Sequence, residues 1–171
     1  SKLLPLMKES GVAAIANPLI NITLQGRHDS YPKRRGMTRV PELLEYQIPV
    51  AFGHDCVMDP WYSLGSGDML EVASMGLHVA QLTSQKGMRA CFEAVTTAPA
   101  EIMGLSQFGL RPGCEGSLVM LDAGDPVEAL RLKPVRRYVI RRGRVIAKTE
   151  VPRTRLMLGE DASNISRRFN D

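Results

Sequence analysis

A chain of 171 residues, 44% hydrophobic and 23% charged, has the length and composition to bury the core of one domain or one and a half, which argues against disorder as a global description. No run approaches the ~18–20 uninterrupted apolar residues of a membrane span, and the opening SKLLPLMKESG lacks the apolar block and cleavage site of a signal peptide, so a soluble, cytoplasmic protein without a membrane partner is expected. The net charge of +4 is modest, and the three widely spaced cysteines, Cys56, Cys91 and Cys114, contain no CxxC pair, which argues against a disulfide framework and a structural zinc cluster alike.

In chain order, residues 2–10 read as the end of a helix capped by Gly11. GVAAIANPLIN follows, a run of small and β-branched residues that suits a strand buried on both faces, with Pro18 at its exit. QGRHDSYPKRRG, residues 25–36, is a long polar and basic loop. Its Lys33, Arg34 and Arg35 are read as solvated charges before a lid or an oligomer contact. Thr38 begins a helix with Leu43 and Leu44 on its buried side, and that helix feeds the strand IPVAFGHD, so the unit is βαβ with two parallel strands.

Helices are expected at about 68–81 and 87–97, with a short third at PAEIMGL ending in Gly104; the methionines clustered there are assigned to packing. From about residue 110 the style changes. LRPGCEGSLVMLDAG encloses a short strand between turns, and PVRRYVIRRGRVIAK reads as a hairpin turning at Arg142 and Gly143. Between Arg131 and Arg155 there are ten Lys or Arg against one acid, Glu150. They alternate with Val, Ile and Tyr as on a solvated sheet, and a nucleic-acid partner is not expected. The tail after Glu150 has no clear period.

Parallel α/β architectures gather chemistry at the carboxyl ends of their strands. That places Asn17 and Asn21 beside His54 and Asp55, facing the long loop. A carboxylate at the end of a buried strand needs a cation or hydrogen-bond donors to stay ionised, so Asp55 is either a metal ligand or the cap of the following turn. Strand alternation sends His54 to the opposite side, where a hydrogen-bonded or packing role suits it better; His28 and His78 have no ligand-spaced partner. Trp61, the one tryptophan, either covers the strand ends or offers a stacking face to a flat substrate.

ANPLINITLQGR, YPKRRG, GHDCVMDPWYSLG and MGLHVAQL together resemble the carboxyl-terminal part of bacterial cytosine deaminases of the amidohydrolase superfamily, over about residues 3–148. The resemblance implies an α/β fold, the last part of a (β/α)8 TIM barrel of the metal-dependent hydrolase type plus a small β-sandwich appendage. Residues 1–109 would carry barrel strands seven and eight with their helices, and residues 110–171 the sandwich segment and tail. A barrel of this type takes about 250 residues, so the remaining metal histidines and the catalytic glutamate are expected before Ser1, and these residues alone would not make a working enzyme.

Carried over to this chain, Asp55 matches the metal-binding aspartate that takes the proton of the attacking water, with one divalent ion, iron or zinc, as cofactor, and Trp61 matches the tryptophan of the substrate pocket. Cys56 departs from the family pattern, which commonly has a second aspartate there. A smaller, neutral thiol near the pyrimidine 5 position implies acceptance of a 5-substituted cytosine such as 5-methylcytosine, beside the reading that it merely fills space. The implied reaction is hydrolytic deamination of a small nucleobase by a homo-oligomer. The alternatives are deamination of isoguanine, creatinine or a triazine, and a non-catalytic truncated or binding subunit. The H-x-E and P-C-x-x-C signature of the other deaminase type is absent from the sequence.

Overall fold

The structure, a computed structural model, describes residues 2–150, 152, 154–156 and 163–165. Helix α1 (Leu3–Ser10) stops at Gly11, whose φ of 70° and N–H bond to the Lys8 carbonyl (3.2 Å) form the left-handed ending that glycine reaches without a Cβ clash. Strand β1 (Ala14–Ala16) follows. Pro18 then opens α2 (Pro18–Leu24), because its fixed φ and missing N–H suit a first helical turn. The long loop leads to α3 (Val40–Glu45), which starts two residues later than the expected Thr38 and carries a proline in its first turn. It delivers the chain to β2 (Val50–Phe52).

β1 and β2 pair in parallel, Ala14 with Val50, Ile15 with Ala51 and Ala16 with Phe52, as the βαβ pattern implies. One expectation is corrected here. β1 is three residues long, not the whole apolar run, and among the described residues it is covered on one side: Ile15 is 62% exposed while Ala16 is buried.

Asp68 caps α4 (Met69–Val79) by accepting the N–H of Leu70 (2.8 Å), and Ser84 caps α5 (Gln85–Glu93) by accepting that of Gly87 (3.1 Å). The expected second helix therefore ends earlier than residue 97. A new one, α6 (Thr97–Ile102), begins there and closes before Gly104, whose φ is 67°. Leu70, Val72, Ala73 and Leu77 of α4 join Leu19, Ile20, Val50, Phe52 and Cys91 in one hydrophobic cluster. Methionines 69, 75 and 88 pack against its edge, in keeping with the packing role assigned to them, whereas Met103, assigned the same role, is 65% exposed.

Strands β3 (Leu118–Leu121), β4 (Arg136–Arg141) and β5 (Arg144–Lys148) form an antiparallel sheet in the order β3-β4-β5. Arg142 and Gly143, at φ 49° and 74°, make the two-residue hairpin turn that the sequence marks. Between β3 and β4 the chain inserts α7 (Pro126–Leu132), capped by Asp125, and buries Leu130 in the main cluster against α4 and α5. The sheet also meets α4 through an ion pair of Arg136 with Asp68. Arg137, Arg142 and Lys148 pair with Asp122, Glu115 and Glu150, so much of the basic stretch is answered by acids. Arg153 lies outside the described residues.

In the tail, β6 (Thr154–Leu156) and β7 (Ser163–Ile165) pair antiparallel, where the sequence shows no period; its other residues from 157 on lie outside the described set. Among the described residues no helix is long and apolar enough to cross a membrane.

Candidate active site

The two parallel strands end side by side. The N–H of Gly53 bonds the Ala16 carbonyl (2.9 Å), and a Cβ at residue 53 would collide with the Asn17 amide oxygen, so glycine is what lets the ends approach. Asn17 itself is the residue before α2, and Asn21 lies inside that helix.

Beyond Gly53 the backbone turns sharply. The N–H of Cys56 reaches back to the His54 carbonyl (2.9 Å) across Asp55, whose φ is 65°: a three-residue turn of the rare positive-φ kind. Asp and Asn tolerate this region better than most residues. The two side chains part to opposite sides, as alternation implies. His54 is buried at 9% exposure, whereas Asp55 is exposed and makes no hydrogen bond or ion pair with the described residues. It is therefore not the cap of the following turn.

That role belongs to Asp59, which the sequence reading passed over. Its Oδ1 accepts the N–H groups of Trp61 and Tyr62, both at 2.9 Å, while its own N–H donates to the Tyr62 carbonyl (3.1 Å). The signal was present, since Asp-Pro followed by aromatic residues is a common turn start. These bonds to Tyr62 and Trp61, together with the Cys56 thiol, hold the Asp59 carboxyl below its usual range. The same hydrogen bond from the thiol, helped by burial, pushes Cys56 up to about 11. Cys56 is thus a neutral, half-buried thiol, and the neighbouring carboxylate makes it a poorer nucleophile.

Trp61 projects outward, 69% exposed, while Tyr62 next to it is buried with its ring 6.2 Å from that of His54. His78 bonds its own helix through the Ser74 carbonyl (2.6 Å), and both His78 and His28 are exposed, which fits the surface or packing roles that suit histidines without a ligand-spaced partner. The loop cations are exposed or half-buried, as expected of solvated charges, and they also bond within the loop. Arg34 forks onto Asp29 (2.6 and 2.7 Å), Lys33 bonds the carbonyls of Gly26 and Arg27, and Arg35 bonds that of Gln25, so the cations tie the loop to itself.

The profile of the amidohydrolase family matches residues 1–147. The chain belongs to the amidohydrolase family. This amidohydrolase superposes on a crystal structure of 5-methylcytosine deaminase from Klebsiella pneumoniae liganded with 5-fluorocytosine, with a TM-score of 0.87 and 40% identity over 91% of this chain and 38% of that one. It is 33% identical to a pterin deaminase of Rhizobium rhizogenes over 82% of its own length and 32% of the relative's. The N-isopropylammelide isopropylaminohydrolase of Burkholderia multivorans matches at 29% identity and a TM-score of 0.73, over 86% of this chain and 34% of that one. The chain thus spans about a third of the length of these relatives. The likeness supports the barrel part of the fold; the antiparallel sheet stands as a three-stranded sheet.

Proposed function

We propose that these residues belong to a metal-dependent aminohydrolase that converts a 5-substituted cytosine, or cytosine, to the corresponding thymine or uracil analogue and ammonia. The observation that carries this reading is the 40% identity to 5-methylcytosine deaminase over 91% of the chain. The donor chemistry agrees with it. Asp55 offers an exposed carboxylate with no hydrogen-bond or ion-pair partner among the described residues, which fits one ligand of a divalent ion. Among the described residues no three His, Cys, Asp or Glu are placed to hold a metal ion, so the remaining ligands are assigned to other strands of the barrel; the segment from residue 110 is assigned to the sandwich on the resemblance.

Asp55 would be one ligand of that ion, iron or zinc, which when bound would supply acidity to a water near neutral pH. Asp55 would take the proton of the attacking water as the new C–O bond forms at the ring carbon, and return of that proton to the amino group would let it leave as ammonia as the C–N bond breaks. Trp61 offers its ring face to the flat base, since most of its surface is open. Cys56, its proton committed to Asp59, presents a compact neutral sulfur to the 5-substituent, where a carboxylate would demand water. On the same resemblance the protein is read as a cytoplasmic homo-oligomer without nucleic-acid or membrane partners.

A second reading is deamination of isoguanine, creatinine or a triazine, and the likeness to an N-isopropylammelide isopropylaminohydrolase supports it. Ammonia release by the full-length natural protein from 5-methylcytosine, cytosine, isoguanine, creatinine and ammelide separates the two. The first reading expects the highest kcat/KM for 5-methylcytosine, with cytosine at most equal to it. A preference for cytosine over 5-methylcytosine contradicts the role given to Cys56. A preference for a triazine contradicts the substrate class, and no ammonia from any of them leaves a binding subunit.

A further inference from the structure

His54 has no role in the chemistry proposed above, yet it is the one buried side chain with an unsatisfied polar atom among the described residues. Its Nε2 is shut off from solvent without a partner. Its Nδ1 lies 2.7 Å from the Cys56 carbonyl oxygen. A carbonyl can only accept, so the ring carries its proton on Nδ1 and donates. In that tautomer Nε2 is a bare lone pair, and burying it unpaired is the cost of fixing the ring. The ring is enclosed, since a Cβ on Gly65, which has φ 88°, would strike its Cε1, and Tyr62 packs beside it.

His54 and Cys56 are consequently joined twice. The main-chain N–H of Cys56 goes to the His54 carbonyl at 2.9 Å, and the His54 ring goes to the Cys56 carbonyl at 2.7 Å. Between the two bonds stands Asp55 at φ 65°, a conformation that costs free energy and persists only where its surroundings impose it. We propose that His54 is a positioning residue: its Nδ1–H bond to the Cys56 carbonyl clamps the positive-φ turn and so fixes where the Asp55 carboxylate and the Cys56 side chain stand. The proposal rests on the reading of Asp55 and Cys56 given above. It extends that reading to a residue that touches neither the substrate nor the reacting atoms.

Three substitutions in the full-length natural protein test it. Asparagine places an N–H where Nδ1 stands but fills less space; glutamine and phenylalanine fill more of the space and place no donor there. A clamp predicts that His54→Asn keeps kcat for 5-methylcytosine near wild type, whereas His54→Gln and His54→Phe lower kcat about 100-fold with KM little changed, the signature of misplaced reacting groups. Amide hydrogen exchange of residues 54–65 is to be measured on the same variants, with metal content. It should rise about tenfold in the Gln and Phe variants, as expected for one lost hydrogen bond, and stay near wild type in the Asn variant. If Asn is the most damaging of the three, ring volume matters and the donor does not, and the proposal falls. Gln and Phe variants with unchanged exchange and kcat also overturn it. A wild-type protein that releases no ammonia would sink the function proposed above, while the exchange rates would still decide for or against the clamp.

Discussion

The carboxylate of Asp59 accepts the backbone N–H groups of Trp61 and Tyr62 and, in the same loop, keeps the Cys56 thiol protonated. One acid therefore organises both sides of the proposed pocket rim. Replacing it by asparagine removes the charge that disfavours a thiolate. The Asp59→Asn variant should bring Cys56 from about 11 back toward its ordinary value of 9.0 and raise its alkylation rate at pH 8 by up to about 100-fold, as followed by peptide mass spectrometry. An unchanged rate would show that the carboxylate does not hold the thiol.

The same pair sets a pH window for the loop. Cys56 is raised in the folded state, so its contribution is complete below 9.0 and is lost as pH climbs toward about 11. Asp59 is lowered, so its contribution is complete above 3.8 and is lost as pH falls through the folded value below it. Amide protection of residues 56–64, corrected for intrinsic exchange, should be flat between about pH 5 and 8 and decline on either side. A maximum outside that interval would contradict the pairing.

Trp61 carries little of the fold and, on this account, much of the substrate contact. Trp61→Ala should leave thermal stability nearly unchanged, because the side chain is 69% exposed. It should raise KM for the base by about 10- to 100-fold, the usual range for removing a stacking ring. Steady-state kinetics together with a melting curve separate this from a structural role, which would lower Tm and leave KM alone.

Gly76 is where α4 meets β2. A Cβ there would run into the Phe52 ring, so Gly76→Ala should destabilise by about 1–3 kcal/mol through overpacking, despite alanine's better helix propensity. Chemical denaturation measures it; a stabilised variant would mean that the Phe52 ring yields easily.

Where the sequence carries local signals, fold and site were legible in it: Gly11 ending α1, Asp68 opening α4, Arg142-Gly143 turning the hairpin, and the apolar run ending at Gly53. Helix α7 was missed although Asp125-Pro126 with Glu128 is a start signal, because it is only seven residues long and lies between strand-like runs. Asp55 was placed at the strand end from alternation and motif. Alternation could not show that the backbone turns through positive φ at Asp55. The bonds of Asp59 and His54 to main-chain groups depend on the folded path of the loop, and no spacing rule encodes them.

The most direct test of the central claim is kcat/KM for ammonia release from 5-methylcytosine by the metal-loaded full-length protein, wild type against Asp55→Asn. Asparagine accepts the positive φ at this position, so the fold should hold and only the chemistry change. The account predicts clear turnover in the wild type and a loss of at least about 1,000-fold in the variant, since both a ligand and the proton acceptor are removed. A variant that deaminates at the wild-type rate would contradict it.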